Sequence, residues 1–269
     1  MTQNLPTKSP VSILKSILSN ESIQSQFKNA LKDKASLFIA SLTDLYASNT
    51  YLQSCEPKAV IVEALKAATL NLPINKNLGY SWIVPYKNKG KLEPDFQIGY
   101  KGYIQLAIRT GQYKYINADM VYEGETIEVE KLSGKIKMSG DPSNQNVIGY
   151  FSYFETINGY QKAIYWTKER MELHGKTYSQ SWKSDIKKGT KLSNWVKDFD
   201  KMGLKTIIKE ILSKWGILSI EMSKAFENDS DDMSFNHHEQ EAAVEANAEV
   251  IDTKPLNTNK KGETKKPDF

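Results

Sequence analysis

Apolar residues first recur at helical spacing in VSILKSILSNESIQSQFKNAL, where Val11, Leu14, Ile17 and Leu18 share one side of a helix. The pattern returns between residues 34 and 51, with Leu37, Phe38, Ala40, Leu42 and Leu45. Glu56-Pro57 is a helix opening, and residues 59–70 are alanine-rich with one apolar side. The first 72 residues therefore predict three helices.

The pattern changes at Gly79. Two β-rich runs in GYSWIVPYKNKGKLEPDFQIGY flank the polar stretch KNKGKLEPD and predict a hairpin with a basic tip, Lys87, Lys89 and Lys91. GYKGYIQLAIRTG follows as a helix between Gly99 and Gly111. Strands are predicted at residues 114–122, 126–131, 135–138, 147–154 and 160–166, with Asn158-Gly159 as a two-residue hairpin turn. A short helix starts near Lys168, and GKTYSQSWKSDIKKGTKLSN reads as a polar, basic loop. A long helix is predicted over 193–214, stopped by Gly216, and one more over 219–226. Residues 1–10 read as a flexible lead, 11–226 as the folded core, and 227–269 as a disordered acidic tail.

Charge sharpens this division. Residues 227–269 hold 11 acidic and 5 basic residues, a balance of −6; with +4 on the whole chain, the rest carries +10. A basic body suits an anionic ligand. Its lysines are also ordered: Lys197, Lys201, Lys205 and Lys209 stand four apart in KDFDKMGLKTIIKE. Each step of four advances about 40° around a helix, so the four would form a band about 18 Å long. Val196, Phe199, Gly203 and Ile207 would face the core opposite them. A solvated face ordinarily alternates sign at this spacing, whereas like charges repel. A phosphate backbone would relieve that repulsion.

A second basic stretch interleaves aromatics: Gln97, Lys101 and Arg109 beside Tyr100 and Tyr103. Single-strand binders use cations along the backbone and rings under the bases. Tyr100 and Tyr103 equally fit a core pair at i, i+3, and Gly99 and Gly102 fit either backbone approach to a phosphate or close packing. Trp182, in the polar stretch, is the ring expected to be exposed.

Other chemistry is weakly supported. Gly175-Lys176-Thr177 lacks the earlier glycine of a phosphate loop, because Arg170 occupies that position. His174, His237 and His238 cannot form a metal triad, so no cofactor or metal is expected. Pro94-Asp95 with Asp185 and Lys187 resembles a metal-dependent nuclease only faintly. One cysteine, Cys55, excludes an internal disulfide. No apolar run of about 18 residues could span a membrane. With no secretory pattern at the N-terminus, a cytoplasmic location is expected.

LNLPINKNLGYSWIVPYKN, FQIGYKGYIQLAIRTGQ and WVKDFDKMGLKTIIKEIL resemble, in this order, the signature blocks of the phage RecT family of single-strand annealing proteins. The resemblance spans roughly residues 10–225; Gly99–Tyr103 and Met202, Lys205 and Thr206 are its most specific parts. It implies single-stranded DNA binding and ATP-independent annealing of complementary strands in homologous recombination, by rings or helical filaments and without covalent catalysis. It also implies a 5′-to-3′ exonuclease and the host single-strand binding protein as partners. The implied fold is α+β: a curved antiparallel sheet with a long basic helix behind a DNA groove. Lys101, Arg109, Lys205 and Lys209 are the implied phosphate contacts; Lys201 departs from the family, which often has an acid there. The alternative activity is plain single-strand binding, or a metal-dependent nuclease.

Overall fold

The computed structural model describes residues 9–229 except Lys76, Lys89 and Leu218. Short polar side chains decide where the N-terminal helices start and stop. In α1 (Pro10–Leu18), Pro10 sits in the first turn and the Ser9 hydroxyl accepts from the Ser12 N–H. Asn20 caps α2 (Glu21–Leu31) by accepting from the Ser22 N–H, which breaks the single expected helix in two. After a 3₁₀ turn (Lys32–Lys34) come α3 (Ala35–Ala47), the one-turn α4 (Thr50–Gln53), capped by Asn49, and α5 (Pro57–Thr69). Among the described residues, five α-helices thus stand where three were expected. Leu14, Phe27, Phe38, Leu42, Tyr46, Val60 and Ala64 fill the space between them.

Among the described residues the strands pair antiparallel, in three separate sheets. β1 (Ser81–Asn88) and β2 (Lys91–Ile98) form a hairpin paired up to Asn88 opposite Lys91. α6 (Tyr100–Arg109) follows directly. β3 (Tyr113–Tyr122), β6 (Val147–Thr156) and β7 (Gln161–Thr167) make a three-stranded sheet in the order β3-β6-β7. β4 (Thr126–Val129) and β5 (Ile136–Ser139) form a small hairpin between β3 and β6. The architecture is mixed α+β. No described helix is long and apolar enough to cross a membrane.

The C-terminal half departs most from expectation. The expected polar loop is largely helical: α7 (Lys168–Tyr178) is capped by the Thr167 hydroxyl, and α8 (Gln180–Lys188) by that of Ser179. Gly175 is buried in α7 because the rings of Trp182 and Trp195 lie against it. Trp182 is not an exposed ring; it is 9% exposed and stacks on Trp195 at 5.3 Å. The expected long helix breaks at Asp198, whose φ of −136° and ψ of 54° separate α9 (Asn194–Lys197) from α10 (Phe199–Trp215). α10 lies against β3, β6, β7 and α6, and residues 202–209 are all buried. Over residues 202–209 the helix is therefore central, and of its lysines Lys201 and Lys214 reach solvent while Lys205 and Lys209 do not. α11 (Ile220–Asn228) ends the described chain, followed by Asp229. The remainder of the expected tail, and the expected lead up to Lys8, lie outside the described residues.

Candidate nucleic-acid interface

The hairpin register sets one wall of the site. Pairing of Trp82 with Gln97 puts an indole and an amide side by side, and β2 ends one residue before α6. The Gly99 N–H donates to the Tyr80 carbonyl at 3.0 Å. A Cβ on Gly99 would overlap the Trp82 ring, and one on Gly102 would overlap the Tyr80 carbonyl. Both glycines therefore allow close packing of α6 on the chain that enters β1.

This packing opens a cleft of about 540 Å³ between the hairpin, the first turn of α6, residues 77–79 and the α9–α10 junction. Gln97, Tyr100, Lys101, Lys201 and Lys205 all line it, although about a hundred residues separate the first three from the last two. Lys101 and Lys201 are exposed, while Gln97 and Tyr100 are half-buried. The Lys101 ammonium lies 6.0 Å from the centre of the Tyr100 ring. Lys201 pairs with Asp198 at 3.1 Å, both side chains reaching solvent, so the contact is weak and exchangeable. Gln97 donates to the Asp95 carboxylate at 3.2 Å. The N-terminal end of α6, with its positive dipole end, completes the floor.

At the inner end, the lysine series runs under cover. Lys205 is 7% exposed and Lys209 1%. Their ammonium groups lie 3.1 and 3.6 Å from the Asp229 carboxylate, and the Tyr103 hydroxyl donates to the same carboxylate at 2.5 Å. Burial pushes the Asp229 carboxyl up, but Lys205, Lys209 and Tyr103 outweigh it and hold the group below its ordinary value. The expected exposed band of four lysines is thus divided: Lys197 and Lys201 are open, Lys205 and Lys209 closed over.

Other candidates lie elsewhere. Tyr103 is a core ring, fully buried and stacked on Phe226 at 5.5 Å. Arg109 donates to the carbonyls of Leu70 and Asn71 and so closes the C-terminal end of α5, away from the cleft. Lys87 and Lys91 are exposed near the hairpin tip, and Lys197 is exposed on α9; none lines the cleft. Lys89 is outside the described residues. Asp185, considered as a metal ligand, instead accepts from the Thr190 hydroxyl and the backbone N–H groups of Leu192 and Ser193. Among the described residues, no cluster of three or more His, Cys, Asp or Glu could hold a metal.

The sequence reading missed Trp82 as a wall of the cleft and Asp229 as the partner of the inner lysines. Asp229 carried a signal: Met222, Ala225, Phe226 and Asp229 recur at i, i+3, i+4 and i+7, one face of a helix. The overall acidity of the segment masked it.

A family model described as "RecT family" matches residues 36–246. The chain is 44% identical to the uncharacterized protein YqaK of Bacillus subtilis over 266 residues, covering 98% of this chain and 87% of YqaK. It is 26% identical to Protein RecT of Escherichia coli over 184 residues, covering 66% of this chain and 65% of that protein.

Proposed function

The chain belongs to the RecT family, and from that premise we propose that it binds single-stranded DNA and anneals complementary strands during homologous recombination without ATP. The supporting observation is the convergence of Gln97, Tyr100, Lys101, Lys201 and Lys205, from distant segments, on one cleft.

The work is physical rather than covalent. Lys101 and Lys201 approach the cleft from different walls and neutralise successive phosphates, releasing counterions. The half-buried Tyr100 ring offers a stacking surface worth about 1–3 kcal/mol per base. Lys205 and Lys209 continue the cationic series inward. With its sugar-phosphate chain held, one strand presents its bases, and pairing with a second strand supplies sequence specificity. Copies arranged in a ring or filament would place such clefts in succession, so weak contacts add along the DNA. An exonuclease that exposes the strand and a host single-strand binding protein are the proposed partners.

Two complementary oligonucleotides are mixed with the protein and duplex formation is timed. Annealing faster than in the protein-free control is expected, with the gain reduced by Lys101→Ala. Binding without acceleration would leave a plain single-strand binder, and shortening of labelled DNA with magnesium would indicate a nuclease.

A further inference from the structure

Asp229 pairs with both inner lysines, Lys205 and Lys209. Resting on the DNA-binding reading above, we propose that Asp229, carried on α11, is an intramolecular stand-in for a backbone phosphate that closes the inner half of the cleft and is displaced when a strand binds.

Four observations converge. First, Lys205 belongs to both places: it lines the open cleft and it pairs with Asp229. Lys205 therefore links the groove that Lys101 and Lys201 open to the carboxylate beyond its lining. Second, the donor set around Asp229 is one a phosphodiester could use. Among the described residues, two ammonium groups and a phenolic hydroxyl meet the Asp229 carboxylate. Ammonium groups are compact point charges that accept a carboxylate or a phosphate oxygen without a fixed fork geometry. Third, Lys201, Lys205 and Lys209 stand four apart on α10, so a strand following Lys201 inward along that helix next reaches Lys205 and Lys209.

Fourth, the element carrying Asp229 is lightly anchored. α11 has nine residues and rests on α6 and β2 through buried Met222 and Ala225 and the Phe226–Tyr103 stack. Ile220 on the same helix is 73% exposed. Short elements with few buried contacts open at low free energy. The ionic contact fastens the end of α11; exchanging Asp229 for a phosphate leaves the lysines satisfied while releasing that end. A fully buried ion pair kept for stability alone is a poor device, since desolvation offsets much of the attraction. A contact that must exchange anions has reason to be ionic.

If the open state is a minor one, binding is weakened by its small population, and removing the plug recovers that loss. Asp229→Asn in the full chain should therefore bind oligothymidylate about tenfold more tightly than the parent at the same salt. Its thermal melt reports whether the core remains folded. A second measurement uses the unaltered protein: hydrogen exchange of the α11 amides, with and without oligothymidylate. Exchange that quickens on adding DNA supports displacement. Exchange that stays the same or slows overturns it, even if the substitution prevents folding. Unchanged affinity in folded Asp229→Asn also overturns it while leaving DNA binding intact. No binding by parent or folded variant at low ionic strength instead removes the DNA-binding reading itself.

Discussion

Arg109 donates from Nη1 and Nη2 to two carbonyls at the end of α5, each at 2.9 Å. Burial pulls its guanidinium below the ordinary value, as expected for a cation committed to backbone rather than to solvent. The family resemblance implies a phosphate contact here, whereas the structure gives a structural clasp. Arg109→Ala should lower the melting temperature by the loss of charge-assisted hydrogen bonds, about 1.5–3 kcal/mol before solvent screening of this partly exposed group. Oligonucleotide affinity at a temperature where the variant is folded should not change; a large loss would return Arg109 to the interface. Asp185 gives a second residue-level test. Hydrogen bonds from the Thr190 hydroxyl and the Ser193 backbone hold its carboxyl well below the ordinary 3.8. A depressed folded value stabilises above 3.8 and is lost as pH falls through the folded value. Parent and Asp185→Asn should thus differ in melting temperature at neutral pH, and that difference should shrink as pH drops below 3.8. A constant difference across that range would show that the carboxylate's charge is not what fastens residues 190–193.

At the scale of elements, α10 shows why some of the fold was legible and some was not. Its stop at Gly216 follows from a glycine at the end of the apolar spacing, whereas its start does not, because the chain turns at Asp198. Its burial does not follow either, because spacing describes one helix and cannot see what the fold lays against it: α6, β3, β6 and β7, and Asp229 on Lys205 and Lys209. The same holds for Trp182: a tryptophan among lysines and serines looks exposed until α7 and α8 fold together and stack it on Trp195. The strands were better read, since alternation along β6 is a local signal; the turn at Asn158-Gly159 is present but takes in Ile157 as well, the Thr156 N–H donating to the Tyr160 carbonyl. Gly203 tests the packing of α10 directly. A Cβ there would stand 2.9 Å from the Tyr150 ring, which is fully buried and whose hydroxyl donates to Asp200 at 2.5 Å. Alanine favours the helix by about 1 kcal/mol, but overpacking against a ring that cannot move aside costs about 1–3 kcal/mol. Gly203→Ala should therefore lower thermal stability; a higher melting temperature would mean that Tyr150 yields.

At the scale of the whole molecule, the charge asymmetry visible in composition becomes a prediction about salt. The candidate site was partly legible: Lys101 with Tyr100 and Lys201 with Lys205 were found as two separate patches. Only the long-range packing of α6 and the hairpin against the α9–α10 junction joins them. If a strand contacts Lys101, Lys201 and Lys205, each copy neutralises about three phosphates. For single strands the affinity then falls with a logarithmic slope of about −2, or about twentyfold over a fourfold rise in salt. Replacing Lys101 or Lys201 with alanine should flatten that slope by about 0.7 each. The two losses should be nearly additive, because the groups reach the cleft from different walls. Replacing Lys87 or Lys91 should change it little, since both stand outside the cleft. Equilibrium binding of a short oligothymidylate at several salt concentrations measures all of these. Slopes unchanged by Lys101→Ala and Lys201→Ala, but flattened by substitutions at the hairpin tip, would move the DNA path out of the cleft and onto the exposed edge of β1 and β2.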